Sequence, residues 1–245
     1  MSQNPFETPQ ASAYQRPAAA ASGQGAGVID IGAAINDAWV ATTANFGAAI
    51  GGLMVAGLLG MLACFTVIGI FAVLPVFMFG VTRLYINLAD GRGDVSDVFD
   101  GFKSYGHAVG SMLLFMLMML FISMPGQVMS MLGAYNEWFI LSILGNIYGL
   151  VIAFFVTFRL YFAPYYIVDQ NLGALDAMRV AWDATADQKL MIFLLGMVAG
   201  IISMAGMLAL LIGLLFTIPL STMIWACAYR QLSPAPAVEE AGAYY

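Results

Sequence analysis

The chain has 245 residues, 62% of them hydrophobic and 9% charged, with a formal net charge of -6. A soluble domain carries about 25% charged residues, so this composition and a mean hydropathy of +0.88 exclude a water-soluble globule and make lipid part of the solvent. Eight Lys and Arg residues are too few for a nucleic-acid-binding surface.

The first 27 residues mix Pro, Gln, Ser, Ala and Gly without periodicity, which predicts a flexible tail. They lack the basic start and apolar run of a signal peptide. Residues 233–245 read as a second, shorter tail. Between them, 28–232 is expected to form one transmembrane domain.

Six apolar stretches, near 46–66, 67–88, 106–124, 139–163, 190–207 and 208–230, can each cross a hydrocarbon core, which takes about 20 helical residues. Reading 46–88 as one helix would give about 65 Å at 1.5 Å per residue, twice the hydrocarbon thickness. Tight hairpins are therefore expected at Cys64–Val67 and Ala205–Leu208. A longer loop, Pro125 to Trp138, is expected in the middle pair, with Gly126, Gly133 and Asn136 as breakers. This topology puts Cys64 and Cys227 on opposite faces, too far apart for a disulfide.

The basic residues orient the spans. Arg16, Arg83, Arg92, Lys103, Arg159, Arg179, Lys189 and Arg230 all fall in or beside the tails and the two long polar links. The positive-inside rule then predicts a multi-pass protein with both termini in the cytoplasm. Glu137 is left on the far side beside Trp138, a candidate interface anchor.

An amphipathic stretch precedes each pair of spans: Ile31–Asn45, Val95–Tyr105 and Leu172–Gln188. Trp39, Phe102 and Trp182 are their expected interfacial anchors. The closing spans LPVFMFGVTRLYINL and IPLSTMIWACAYRQL align without a gap, matching Pro75 with Pro219 and Tyr85 with Tyr229. Arg159, Leu160 and Tyr161 echo Arg83, Leu84 and Tyr85. The expected architecture is an all-α, six-helix membrane bundle built from three amphipathic-helix-plus-hairpin repeats, about 28–90, 91–169 and 170–232. Glycines four apart (Gly47 and Gly51, Gly106 and Gly110, Gly145 and Gly149, Gly196 and Gly200) are candidate helix-packing positions.

At RLYFAPYYIVDQNLGALDAMRVAWDATADQKLMIFLL the chain resembles a broad group of uncharacterised bacterial integral membrane proteins. These are similar to the membrane domain attached to some glycerophosphoryl diester phosphodiesterases. The shared pattern is an aromatic-rich span ending in Asp169 and Gly173, an Ala-rich helix holding Trp182, and a new span. The stretch VSDVFDGF after a Gly-Arg-Gly supplies a second echo. The resemblance implies a bacterial inner-membrane location and a helical fold over roughly 30–230. It implies no catalytic residue, since the phosphodiesterase domain has no counterpart here.

Little in the chain suggests chemistry. His107 is the single histidine, so no multi-histidine metal or haem site can form. Asp90, Asp94, Asp97 and Asp100 do not follow the ligand order of an EF-hand and read as a solvated helix face. No Ser-His-Asp set or phosphate loop appears. No catalytic, cofactor or metal residue is assigned. Arg83 and Arg159 are the deepest cations and are expected to snorkel, with lipid phosphate or an anionic solute as their candidate ligand. Asp169 lies near enough to Arg159 in the chain to pair with it. The expected function is non-enzymatic: a scaffold, accessory subunit or envelope-homeostasis factor whose partners are membrane lipids and other membrane proteins. The alternative is a small-molecule or lipid transporter with a cleft between repeats.

Overall fold

The computed structural model describes residues 27–66, 69–208 and 210–233. Apart from Gly27 and Ser233, the predicted tails lie outside the described residues, as do residues 67, 68 and 209 beside the expected tight turns. Every regular element among the described residues is helical.

Asp30 caps the first helix by accepting the N–H of Ala33, and α1 runs Ile31–Ala44. After Asn45, α2 (Phe46–Ala63) is a run of Ala, Leu, Gly and Met. A π-helical turn, Gly69–Val73, leads into α3 (Leu74–Ala89). Pro75 falls in the first turn of α3, where an amide proton would have no helical partner. Asp94 and Asp97 then form a reciprocal capping box that opens a 3-10 helix, Val95–Ser104. The remaining helices are α4 (Tyr105–Tyr135), α5 (Phe139–Leu160), α6 (Ala163–Gln170), α7 (Ala174–Ala184), α8 (Lys189–Leu208) and α9 (Leu210–Leu232).

Three helix pairs pack antiparallel among the described residues. In the first, Leu84 on α3 meets Gly52 on α2 while Leu74 meets Gly60. In the second, Gly126 of α4 abuts Gly145 of α5 and Gly133 abuts Ser142. In the third, the hydroxyls of Ser203 on α8 and Ser221 on α9 lie 2.9 Å apart, and Gly196 lies near Trp225.

The middle pair departs from the expected long loop. Helix α4 continues through Pro125 to Tyr135, and the link shrinks to residues 136–138, with Glu137 in the left-handed region at φ 59°. The glycines read as breakers are packing positions. A Cβ on Gly126 would stand 2.7 Å from the carbonyl oxygen of Gly145, so the two helices approach along bare backbone.

Five segments are long and apolar enough to cross a membrane: Phe46–Ala63, Gly69–Ala89, Tyr105–Tyr135, Phe139–Gln170 and Lys189–Leu208. Burial divides them into centre and periphery. Half of the Gly69–Ala89 window is buried, against 11% for the two segments of the middle pair. The middle pair instead exposes Leu120, Phe121, Met131, Phe139, Ile140 and Leu150. An apolar surface of that extent is unsuited to water and matches hydrocarbon.

A buried core lies where the closing ends of α3 and α9 meet α6. Tyr85, Leu84, Leu88, Phe162, Ile167, Ile224 and Tyr229 are all fully buried there. The 3-10 helix lies against α3 at a glycine crossing, with Gly80 under the Val98 carbonyl and Gly101 under that of Val76. Helix α1 lays Ala34, Ala38 and Ala41 against the protein, and Gln231 of α9 pins its start by accepting from the Asp30 N–H and donating to the Asp30 carbonyl.

Candidate functional site

Three helix C-termini converge in this core, and each carries roughly half a negative charge from its unpaired carbonyls. A cation placed among them is favoured. Arg230, in the last turn of α9 and 3% exposed, supplies it.

Two carboxylates grip that guanidinium on different edges. Asp90, the C-cap of α3, accepts from Nε at 2.9 Å and from Nη2 at 2.6 Å. Asp169, in the last turn of α6, accepts from Nη1 at 2.6 Å and from Nη2 at 2.9 Å. Both pairs have the forked geometry of the strongest charge-assisted bonds. Two acids on one base leave an excess negative charge, and two more donors reduce it. Arg92 reaches Asp90 at 3.2 Å, and the hydroxyl of Tyr229 donates to Asp169 at 2.8 Å. Gln170 beside Asp169 donates to the hydroxyl of Ser233, tying α6 to the end of α9 a second time.

The environment around the clasp is aromatic. The Tyr229 ring lies 5.3 Å from Tyr165 and 5.1 Å from Tyr166, and Tyr161 stacks on Trp225 at 4.0 Å. Removing water in this way strengthens the ion pairs and makes any unpaired member costly.

Several residues singled out from sequence occupy different settings. Asp90 is not on a solvated face: its side chain is 6% exposed and serves the clasp. Asp97 and Asp94 cap the 3-10 helix, and Asp97 also accepts from Asn87 at 2.9 Å. Asp169 pairs with Arg230 rather than Arg159, because the chain breaks between α5 and α6 and carries Asp169 toward α9. Ser233, assigned to the second tail, is buried and bonded to Gln170.

Arg83 donates to the Val168 carbonyl at 3.0 Å and lies 3.5 Å from Asp100, which also holds Lys103 at 2.7 Å. Arg159 donates to the Trp182 carbonyl at 2.6 Å, and its guanidinium lies 4.1 Å from the Trp182 ring centre. Trp39 is 51% exposed and meets Phe216 edge-on at 5.5 Å; Phe102 meets Phe77 at 5.6 Å. Among the glycines four apart, Gly145 faces Gly126, Gly196 faces Phe158 and Gly51 faces Val95. A Cβ added at Gly47, Gly106, Gly110, Gly149 or Gly200 would point into open space. His107 is exposed.

The clasp itself escaped the sequence reading. A signal was present: Asp90 and Asp169 close the first two expected repeats, and Arg230 nearly closes the third. Two acids and one base at matched ends are complementary, a pattern that neither periodicity nor motif spacing reports.

Fold and site together define an all-helical protein of membrane character, locked at one end by a buried arginine. The chain matches no protein-family model, no curated protein and no solved structure.

Proposed function

We propose that the chain is a non-enzymatic, multi-pass protein of the bacterial inner membrane that works as a scaffold, accessory subunit or envelope-homeostasis factor by packing against lipid and partner proteins. The Asp90–Arg230–Asp169 clasp carries this reading. Its charged groups saturate one another, so it holds helices in place instead of offering a reactive group. In this reading α9 is the sixth span, and the clasp joins the ends of three repeats on the cytoplasmic side. The resemblance to bacterial membrane domains supports the inner-membrane location. Helices α1 and α7 and the 3-10 helix lie in the cytoplasmic interface, with the partly exposed Trp39, Phe102 and Trp182 available to headgroups.

Purification of the full chain in native nanodiscs, with mass spectrometry of what accompanies it, tests the role. A stoichiometric protein partner is expected. A chain that emerges alone and carries solute flux in proteoliposomes would establish the transporter reading instead. Topology is tested separately by labelling single cysteines introduced into a Cys64→Ser, Cys227→Ser background in intact cells. Glu137→Cys should react from outside, and Asp94→Cys and Asp187→Cys only after permeabilisation.

A further inference from the structure

Arg159 differs from the other two deep arginines. Arg230 has two carboxylates and Arg83 lies beside Asp100, whereas no carboxylate stands within ion-pair distance of Arg159 among the described residues. It is 6% exposed, and its Nε is buried with no hydrogen-bond partner. The Trp182 carbonyl and ring hold the guanidinium but supply no counter-ion, and a buried cation without one is costly unless an anion completes it.

The surroundings indicate which anion. Arg159 and Lys189 line a groove of about 320 Å³ between α5 and α8. The rest of its wall is apolar, including Phe154, Phe155, Phe158 and Phe193. Both cations sit where α5 ends and α8 begins, while Phe154 and Phe193 lie a turn or more further along their helices. The groove therefore has a basic mouth and an aromatic floor.

We infer that this groove binds one anionic phospholipid. The headgroup phosphate sits against Arg159 and Lys189, and the first part of an acyl chain lies along the phenylalanines. No acidic side chain lines the groove to receive a choline or ethanolamine cation, so an anionic headgroup is preferred over a zwitterionic one. The inference deepens the lipid-packing role proposed above and rests on α5 and α8 lying in lipid.

The test is native mass spectrometry of the full chain in detergent, titrated with dioleoylphosphatidylglycerol and with dioleoylphosphatidylcholine. The wild type should retain the anionic lipid about tenfold more tightly, the scale of one hydrogen bond to a charged group. Lys189→Gln, at an exposed position, should reduce that preference several-fold. Arg159→Gln should abolish it, and Arg159→Lys should keep part of it. Equal retention of the two lipids by the wild type would overturn the assignment, as would a preference unchanged in Lys189→Gln and Arg159→Lys. Displacement of the lipid by millimolar inorganic phosphate would also overturn it, by identifying a free-phosphate site. Should Arg159→Gln fail to fold, Lys189→Gln still decides. Retention in detergent does not depend on span number, orientation or partner capture, so this inference and the proposed scaffold can fail independently.

Discussion

Asp90 and Asp169, at the ends of different helices, share one buried guanidinium: Asp90 takes its Nε–Nη2 edge and Asp169 its Nη1–Nη2 edge. Such an arrangement is far more sensitive to losing the centre than to losing one side. Arg230→Met leaves two buried carboxylates facing each other and should destabilise the protein by about 3–5 kcal/mol. Asp90→Asn and Asp169→Asn keep the shape and remove one charge, and each should cost about 1–3 kcal/mol. Denaturant unfolding of the full chain in micelles measures all three. A cost for Arg230→Met no greater than that of the single acids would show that the clasp does not hold the core.

The glycine contacts make a second comparison. A Cβ on Gly145 would stand 2.5 Å from the Gly126 carbonyl oxygen and from the Ser130 nitrogen, both backbone atoms that cannot swing aside. Gly145→Ala should separate α4 from α5 and cost about 1–3 kcal/mol. A Cβ on Gly149, one turn on, would point into open space, so Gly149→Ala should be neutral or slightly stabilising. Equal effects in the same unfolding assay would refute close backbone packing as the bond within this pair.

These two sites mark how far the sequence could be read. Apolar run lengths gave the long helices, because hydrocarbon thickness bounds them directly. Glycine spacing did not identify which glycines pack: Gly145 and Gly149 are equivalent in the sequence and both backbones lie near Gly126 of α4, but only at Gly145 does the Cβ direction point into α4. The loop expected after Pro125 failed for a related reason. Gly126 and Gly133 are helix breakers in water, yet beside a second helix they permit a contact that outweighs their weak propensity. The clasp was hidden more deeply. Asp90 sits in a stretch whose other acids, Asp94, Asp97 and Asp100, are solvated, capping or surface-paired, and composition cannot separate the clasp member from such a run. Asp169 has Arg159 as its nearer basic neighbour in sequence, but the break before α6 redirects it.

The 3-10 helix should loosen in acid. The Asp94 carboxylate lies below the ordinary aspartate value because it accepts from the Ser96 N–H and, secondarily, interacts with the Ser96 hydroxyl. A depressed acid stabilises the folded form above its unfolded pKa, and that stabilisation disappears as pH falls through the folded value. Hydrogen exchange at Ser96 and Asp97 should therefore accelerate as pH falls below the ordinary aspartate range, after correction for intrinsic rates. Asp94→Asn keeps an acceptor without titrating and should flatten that change relative to the wild type. An identical pH profile in the two proteins would remove Asp94 as its source.

Tyr85 and Tyr229, aligned in the sequence and both fully buried, should differ in energetic role because their hydroxyls meet different partners. Tyr85 donates to the neutral Ala49 carbonyl at 3.0 Å, holding α3 to α2. Tyr229 donates at 2.8 Å to Asp169, an ionised member of the clasp. Loss of a bond to a neutral acceptor costs about 0.5–1.5 kcal/mol and to a charged one about 1.5–3 kcal/mol, so Tyr229→Phe should be the more damaging change. The pairing also predicts which change couples to the clasp. In an Asp169→Asn background the cost of Tyr229→Phe should shrink, since the acceptor has lost its charge, while Tyr85→Phe should remain additive. Micelle unfolding of the three single and two double variants supplies the coupling energies. If both tyrosines were additive with Asp169→Asn, the Tyr229 hydroxyl would have no part in balancing the clasp, and its excess negative charge would rest on Arg92 alone.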